Sequence, residues 1–229
     1  MKRETRDILL YAAPFAAWIA LQTILPATAW AYAVRTMATA FVGICCWRFA
    51  TGGTPVAATA PTAPKTVRSS AIGLAVGIMV TVLWIVPEVS GFYRTWFCWP
   101  IGSLPTPSSE PSPYDPAVCG WTLTIAKLIG SAFVIAPVEE VFFRSFLYRW
   151  LQRREFLSVP LSRFDLSAFL WMVFLFTLEH DRPLAAAVAG ALYGLAAIRF
   201  GLASAIVAHV TTNLLLALHV IFSGAWAFW

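Results

Sequence analysis

The chain is built from a succession of apolar runs, each about as long as a lipid bilayer is thick. A helix rises about 1.5 Å per residue, so crossing a hydrocarbon core of about 30 Å takes about 20 apolar residues. Runs of that kind cover residues 8–25, 29–50, 70–87, 120–136, 166–180, 183–198 and 202–222. A bilayer offers no water to backbone N–H and C=O groups, and a helix satisfies them within a single segment. The expected fold is therefore all-α: a polytopic membrane helical bundle of about seven (six to eight) transmembrane helices. Only 12% of residues are charged, about half the share of an average soluble domain. No stretch is left over for a soluble domain, so residues 1–229 read as one integral-membrane domain.

The fourth run continues through Pro137 with helical periodicity to about Trp150 and is expected to form one kinked helix. The fifth and sixth runs are short and fit only if they pack inside the bundle or extend further. Residues 51–69 are rich in Pro, Thr and Ala and read as a flexible linker. Residues 88–120 hold many Pro and Ser residues together with Trp96, Trp99 and Tyr114, and read as a structured or interfacial loop.

Lys and Arg near span ends mark the cytoplasmic side of a membrane protein. If seven spans alternate, Lys2, Arg3, Arg6, Arg48, Lys65, Arg68, Arg149, Arg153, Arg154, Arg163 and Arg199 all fall on one side, against Arg94 and Arg182 on the other. The N-terminus is then cytoplasmic, and the 88–120 loop and residues 224–229 are extracytoplasmic. Charged Met1–Asp7, apolar Ile8–Leu25 and Ala27-Thr28-Ala29 resemble a cleavable signal. The apolar run is long for one and more spans follow, so it reads as a retained first helix. The net charge of +5 is spread between spans rather than gathered into a stripe, which speaks against nucleic-acid binding.

Cys45 and Cys46 lie inside an apolar run, where free thiols behave as small hydrophobes. Cys98 and Cys119 flank the 88–120 loop, where an oxidising compartment would permit a disulfide; two free thiols are the equal alternative. No CxxC or Cys/His spacing marks a structural zinc site.

Three polar clusters interrupt the last apolar runs: Glu139-Glu140-x3-Arg144, Phe176-x3-His180 and His209-x3-Asn213. An ionisable side chain at the bilayer centre costs at least about 3 kcal/mol, so such groups face one another or a wet cavity. Glu140 and Arg144, four apart, share a helix face in the orientation that pairs well. That pairing leaves Glu139, about 100° away around the helix, as the free carboxylate. A plain helix-end salt bridge accounts for Glu140 and Arg144 but poorly for Glu139, which has apolar neighbours. Taken alone, His180 reads as an interfacial polar residue at a helix end. His209 and Asn213, with Thr212 beside them, read alone as interhelical packing groups. His219 belongs to that bland class.

Taken together, the ordered motifs Glu-Glu-x3-Arg, Phe-x3-His and His-x3-Asn resemble those of the CPBP family of intramembrane proteases. That family includes the eukaryotic CAAX prenyl endopeptidase and bacterial Abi-type proteins. The motifs span 121–222, the expected catalytic half. Pro160-Leu-Ser-Arg-Phe, Ala189-Gly-Ala-Leu-Tyr-Gly and Trp226-Ala-Phe-Trp229 resemble a bacterial CAAX protease-related subgroup linked to exosortase sorting systems. Glu179, directly before the motif histidine, departs from the usual small or apolar residue.

The resemblance implies an endopeptidase of the bacterial inner membrane acting on a membrane-anchored protein or peptide. It implies a glutamate-type mechanism: Glu139 and His180 hold and deprotonate a water, and His209 and Asn213 stabilise the oxyanion. Glu140, Arg144 and Phe176 would support them. No cofactor is expected on that route. The alternative is a zinc site formed by Glu139, His180 and His209, although no HExxH is present. A non-proteolytic chaperone or scaffold would use the same cluster to bind a membrane partner. A transporter is a third reading, which no inverted repeat of spans supports.

Overall fold

The computed structural model describes residues 3–51, 67–91 and 111–229. Its long helices are α1 (Arg3–Ile24), α2 (Ala29–Thr51) and α3 (Val67–Val89). A short α4 (Pro116–Cys119) then precedes α5 (Trp121–Gln152). The chain closes with α6 (Leu166–Leu178), α7 (Pro183–Phe200) and α8 (Leu202–Ser223). Six of these helices are long and apolar enough to cross a membrane: α1, α2, α3, α5, α7 and α8. The architecture is the expected polytopic helical bundle.

The fifth run is the one that falls short of a span. Asp165 caps α6 by accepting a 2.9 Å hydrogen bond from the Ala168 N–H, and the helix stops at Leu178, before Glu179 and His180. At 13 residues it is about 20 Å long. Residues 153–165 replace the missing turns at its start. There Arg149 donates to the Val159 carbonyl at 2.7 Å, and the Tyr148 hydroxyl donates to the Arg163 carbonyl at 2.7 Å. Helix α3 begins at Val67, so the linker between α2 and α3 is shorter than 51–69, and residues 52–66 lie outside the described residues. The pairing of Cys98 with Cys119 also falls outside them; Cys119 itself carries a free thiol.

The expected bend in the fourth run is more elaborate than a proline kink. Helix α5 runs unbroken through Pro137, but Ser131–Ile135 and Val141–Leu147 are wound as wider π-helical turns. Pro137 has no N–H to give, and the turn before it lets the Ala136 N–H reach back five residues to the Ser131 carbonyl. The two wide turns bracket the Glu139-Glu140 pair, re-aiming both carboxylates into the bundle.

Close helix contacts come from two Gly-x3-Gly pairs. A Cβ at Gly73 or Gly77 on α3 would lie 2.6 Å from the Ser204 carbonyl or 2.5 Å from the Ala208 carbonyl of α8. On α7, a Cβ at Gly190 or Gly194 would meet Phe176 at 2.9 Å or Met172 at 2.8 Å on α6. Small residues let backbones approach where lipid supplies no hydrophobic drive between helices. Thr212 uses the closeness, donating to the Gly77 carbonyl at 3.0 Å or the Ala208 carbonyl at 3.0 Å. Helix α1 packs on the motif helix through Phe15, stacked 4.2 Å from Phe142, so the N-terminal half is part of the same bundle.

Candidate active site

Wound on α5, the two motif glutamates point to different neighbours. Glu140 is fully buried and its Oε1 forms the expected i,i+4 ion pair with Arg144 Nη1 at 3.0 Å. The same oxygen lies 2.9 Å from His209 Nδ1, a contact that no spacing within one helix reveals. Arg144 also donates to the Gly190 carbonyl at 3.2 Å, and its guanidinium lies 4.4 Å over the Phe176 ring. Phe176 is thus a platform between α5, α6 and α7: it holds the arginine in place and carries His180 on its flank, with ring centroids 4.5 Å apart.

Glu139, as expected, takes no part in that pair. Its Oε2 sits 3.7 Å from His209 Nε2 and has no hydrogen-bond partner among the described residues. The His209 ring therefore lies between two carboxylates, one against each nitrogen. Tyr193 stacks on it at 4.8 Å, and the Tyr193 hydroxyl donates to Thr212 Oγ1 at 2.7 Å.

His180 lies just beyond α6. Its Nδ1 is 2.8 Å from the Phe176 carbonyl, which can only accept, so Nδ1 carries the proton and Nε2 is an acceptor when the ring is neutral. Trp84 of α3 meets the ring edge-on at 5.9 Å. Asn213, one turn after His209, donates Nδ2–H to the Ser131 carbonyl at 3.0 Å, at the first wide turn of α5.

Glu139, His180, His209 and Asn213 all line one cavity of about 240 Å³. Three buried polar atoms around it have no partner among the described residues: Glu139 Oε2, Glu179 Oε2 and Trp84 Nε1. Buried polar groups are nearly always satisfied, and a water occupies about 30 Å³ of liquid, so a polar chamber of this size has room for several waters or a peptide segment. Phe176 forms part of the wall, and Glu140 and Arg144 stand behind it, fixing the groups that face the chamber.

Several of the groups around the cavity carry no motif signal. Tyr193 lies within the Ala189–Gly194 stretch, but nothing in its spacing says that it backs a histidine. Glu179, an oddity in the sequence, faces the chamber. Lys127 enters it from the start of α5, its Nζ 4.0 Å from the Tyr32 ring and 4.6 Å from the Tyr114 ring. Trp84 is concealed in the sequence among the apolar residues of α3. His219 lies elsewhere, against Phe228 at 5.7 Å.

Glu139, His180 and His209 are the alternative zinc ligands, with Glu140 suited to orient His209 from behind. Among the described residues, no three His, Cys, Asp or Glu side chains come together as a metal-holding group. The three line the same chamber, with Glu139 Oε2 3.7 Å from His209 Nε2.

Residues 121–215 match the family model described as Type II CAAX prenyl endopeptidase Rce1-like. The matched stretch runs from the start of α5 into α8, carries all three motifs, and covers less than half of the chain. No curated protein and no solved structure matches the chain.

Proposed function

We propose that the protein is an intramembrane endopeptidase of the CAAX prenyl endopeptidase type, hydrolysing a peptide bond of a membrane-anchored protein with a water activated by Glu139. The observation that carries this reading is the lone carboxylate oxygen of Glu139. It is buried, unpartnered among the described residues, and faces a polar chamber shared with His180, His209 and Asn213.

Each group has a part in the reaction. Glu139 accepts a proton from water while the water oxygen bonds to the scissile carbonyl carbon; His180 Nε2 accepts the other O–H and fixes the water. The carbonyl oxygen becomes an oxyanion. Asn213, whose amide has a second hydrogen, and His209 Nε2–H stabilise it. That role requires both His209 nitrogens to be protonated, and a carboxylate lies against each. When the intermediate collapses, the C–N bond breaks and the proton held by Glu139 passes to the departing nitrogen. No step uses a metal.

The motif residues favour an enzyme over a scaffold, since a binding surface does not need a bare carboxylate beside two imidazoles. The finer subgroup, with its link to an exosortase sorting system in a bacterial inner membrane, rests on the flanking sequences at 160–164, 189–194 and 226–229. Comparison of new protein termini in membranes of cells carrying wild type or Glu139→Gln tests the activity. Termini found only with wild type are expected. Identical sets would reject a protease.

A further inference from the structure

The residues that line the cavity place its mouth at one end of the bundle, and the charges say which end that is. Its outer wall is made by Gln22 at the end of α1, Trp84 near the end of α3, Asp181 after α6 and Trp229. Gln22 and Asp181 are exposed. These positions share one rim. Trp18 meets Tyr32 at 5.4 Å, Tyr32 meets Tyr114 at 5.8 Å, and Tyr114 meets Trp229 at 6.4 Å, while Arg182 donates to the Ala227 carbonyl at 2.7 Å. These contacts tie the end of α1, the start of α2, the stretch before α5 and residues 226–229 together at one end of the bundle.

The opposite rim holds the start of α1, the start of α3 and the end of α7, the last two joined by Ser69 Oγ donating to the Phe200 carbonyl at 2.7 Å. Tyr11 packs there edge-on against Phe156 at 5.1 Å, bringing the turn after α5 to the same rim. Arg6, Arg68, Arg153, Arg154, Arg163 and Arg199 are all exposed on it. On the cavity rim, the described cations are drawn inward instead. Arg35 is 5% exposed, Arg182 is 8% exposed, and Lys127 is held over two tyrosine rings. Exposed Lys and Arg near span ends stay on the cytoplasmic side.

We infer that the chamber opens to the extracytoplasmic face, so that its substrate is a membrane-anchored protein whose scissile bond lies at the outer end of its span. The substrate class rests on the proposed protease activity; the access face does not. The arginine rim is cytoplasmic, and a polypeptide segment enters past Gln22 and Asp181 from outside.

Two measurements test this. In cells, Gln22→Cys, placed in a chain whose native cysteines are replaced by alanine, is exposed to a membrane-impermeant maleimide. In vesicles, the unsubstituted chain is treated with trypsin. Labelling of Gln22→Cys in intact spheroplasts, with cutting at Arg153–Arg154 only in inverted vesicles, is expected. Cutting there in right-side-out vesicles would overturn the inference, whether or not the cysteine variant folds. For the substrate class, termini that depend on Glu139 should map to the outer ends of spans. Termini at inner ends would refute the class and leave the protease standing. Loss of every difference between wild type and Glu139→Gln would sink the activity and the class with it, while trypsin still decides the face.

Discussion

His209 Nδ1 and Glu140 Oε1 lie 2.9 Å apart, joining residues 69 positions apart in the chain inside the bundle. The contact fixes which way the imidazole faces, since a carboxylate that accepts from Nδ1–H turns Nε2 toward Glu139. Glu140→Gln keeps the shape but offers the ring an amide that can present a hydrogen in place of a lone pair. Replacing the carboxylate behind the histidine of a Ser-His-Asp triad by its amide lowers activity by about 10⁴-fold, and here the exchange also removes the negative charge that supports hydrogens on both ring nitrogens. A fall in kcat of about 10²-fold or more per folded molecule is expected here, together with lower stability, because the amide leaves the buried Arg144 cation without its counter-charge. Unchanged kcat would show that Glu140 serves Arg144 alone.

Arg144 answers to structure before chemistry. It is 1% exposed, pairs with Glu140 and lies over Phe176. Arg144→Ala strands a buried carboxylate, and breaking such a pair from one side costs about 3–5 kcal/mol. Thermal unfolding in detergent should drop sharply for Arg144→Ala, together with yield, and stay near wild type for Glu139→Gln. Equal melting of the two variants would contradict this division of labour.

The two variants also mark how far the sequence can be read. Span lengths and the i,i+4 spacing of Glu140 and Arg144 are local properties, so the helical bundle and that ion pair are legible in the chain itself. The length of α6 is not, because Phe176 to His180 keeps its apolar and polar order whether the helix ends at Leu178 or continues. Nor is the contact of Glu140 with His209, which depends on how α5 and α8 pack. The tight approaches of α3 to α8 and of α6 to α7 are written as Gly73-x3-Gly77 and Gly190-x3-Gly194, a signal that apolar periodicity alone passes over. The wide turns around Glu139 have no sequence signature except Pro137, which accounts for the first and not the second.

The proposed mechanism gives Asn213 a second part beside its structural one, and a single substitution separates the two. One amide hydrogen is given to the Ser131 carbonyl; the other is assigned to the oxyanion. Removing one oxyanion donor lowers kcat by about 10²–10³-fold. Asn213→Ala should show that loss with KM little changed, which is the mark of an interaction made only in the transition state. If the amide merely secures the wide turn, stability falls by about 1–3 kcal/mol and the folded fraction keeps its kcat.

Metal dependence separates the proposed activation of water by Glu139 from the zinc alternative. Exhaustive chelation should leave hydrolysis intact, and purified active protein should hold no stoichiometric zinc. Activity lost on chelation and restored by zinc would reverse the assignment and make Glu139, His180 and His209 ligands at about 2.0–2.2 Å.

The proposed hydrolysis depends on Glu139 as the base, and purified components test that role most directly. Wild type and Glu139→Gln, each reconstituted into liposomes, are incubated with solubilised membranes from cells lacking the protein, and new termini are identified by mass spectrometry. Wild type should generate a defined set of new termini and Glu139→Gln should generate none, at equal amounts of folded protein. The same termini from both proteins would contradict the claim.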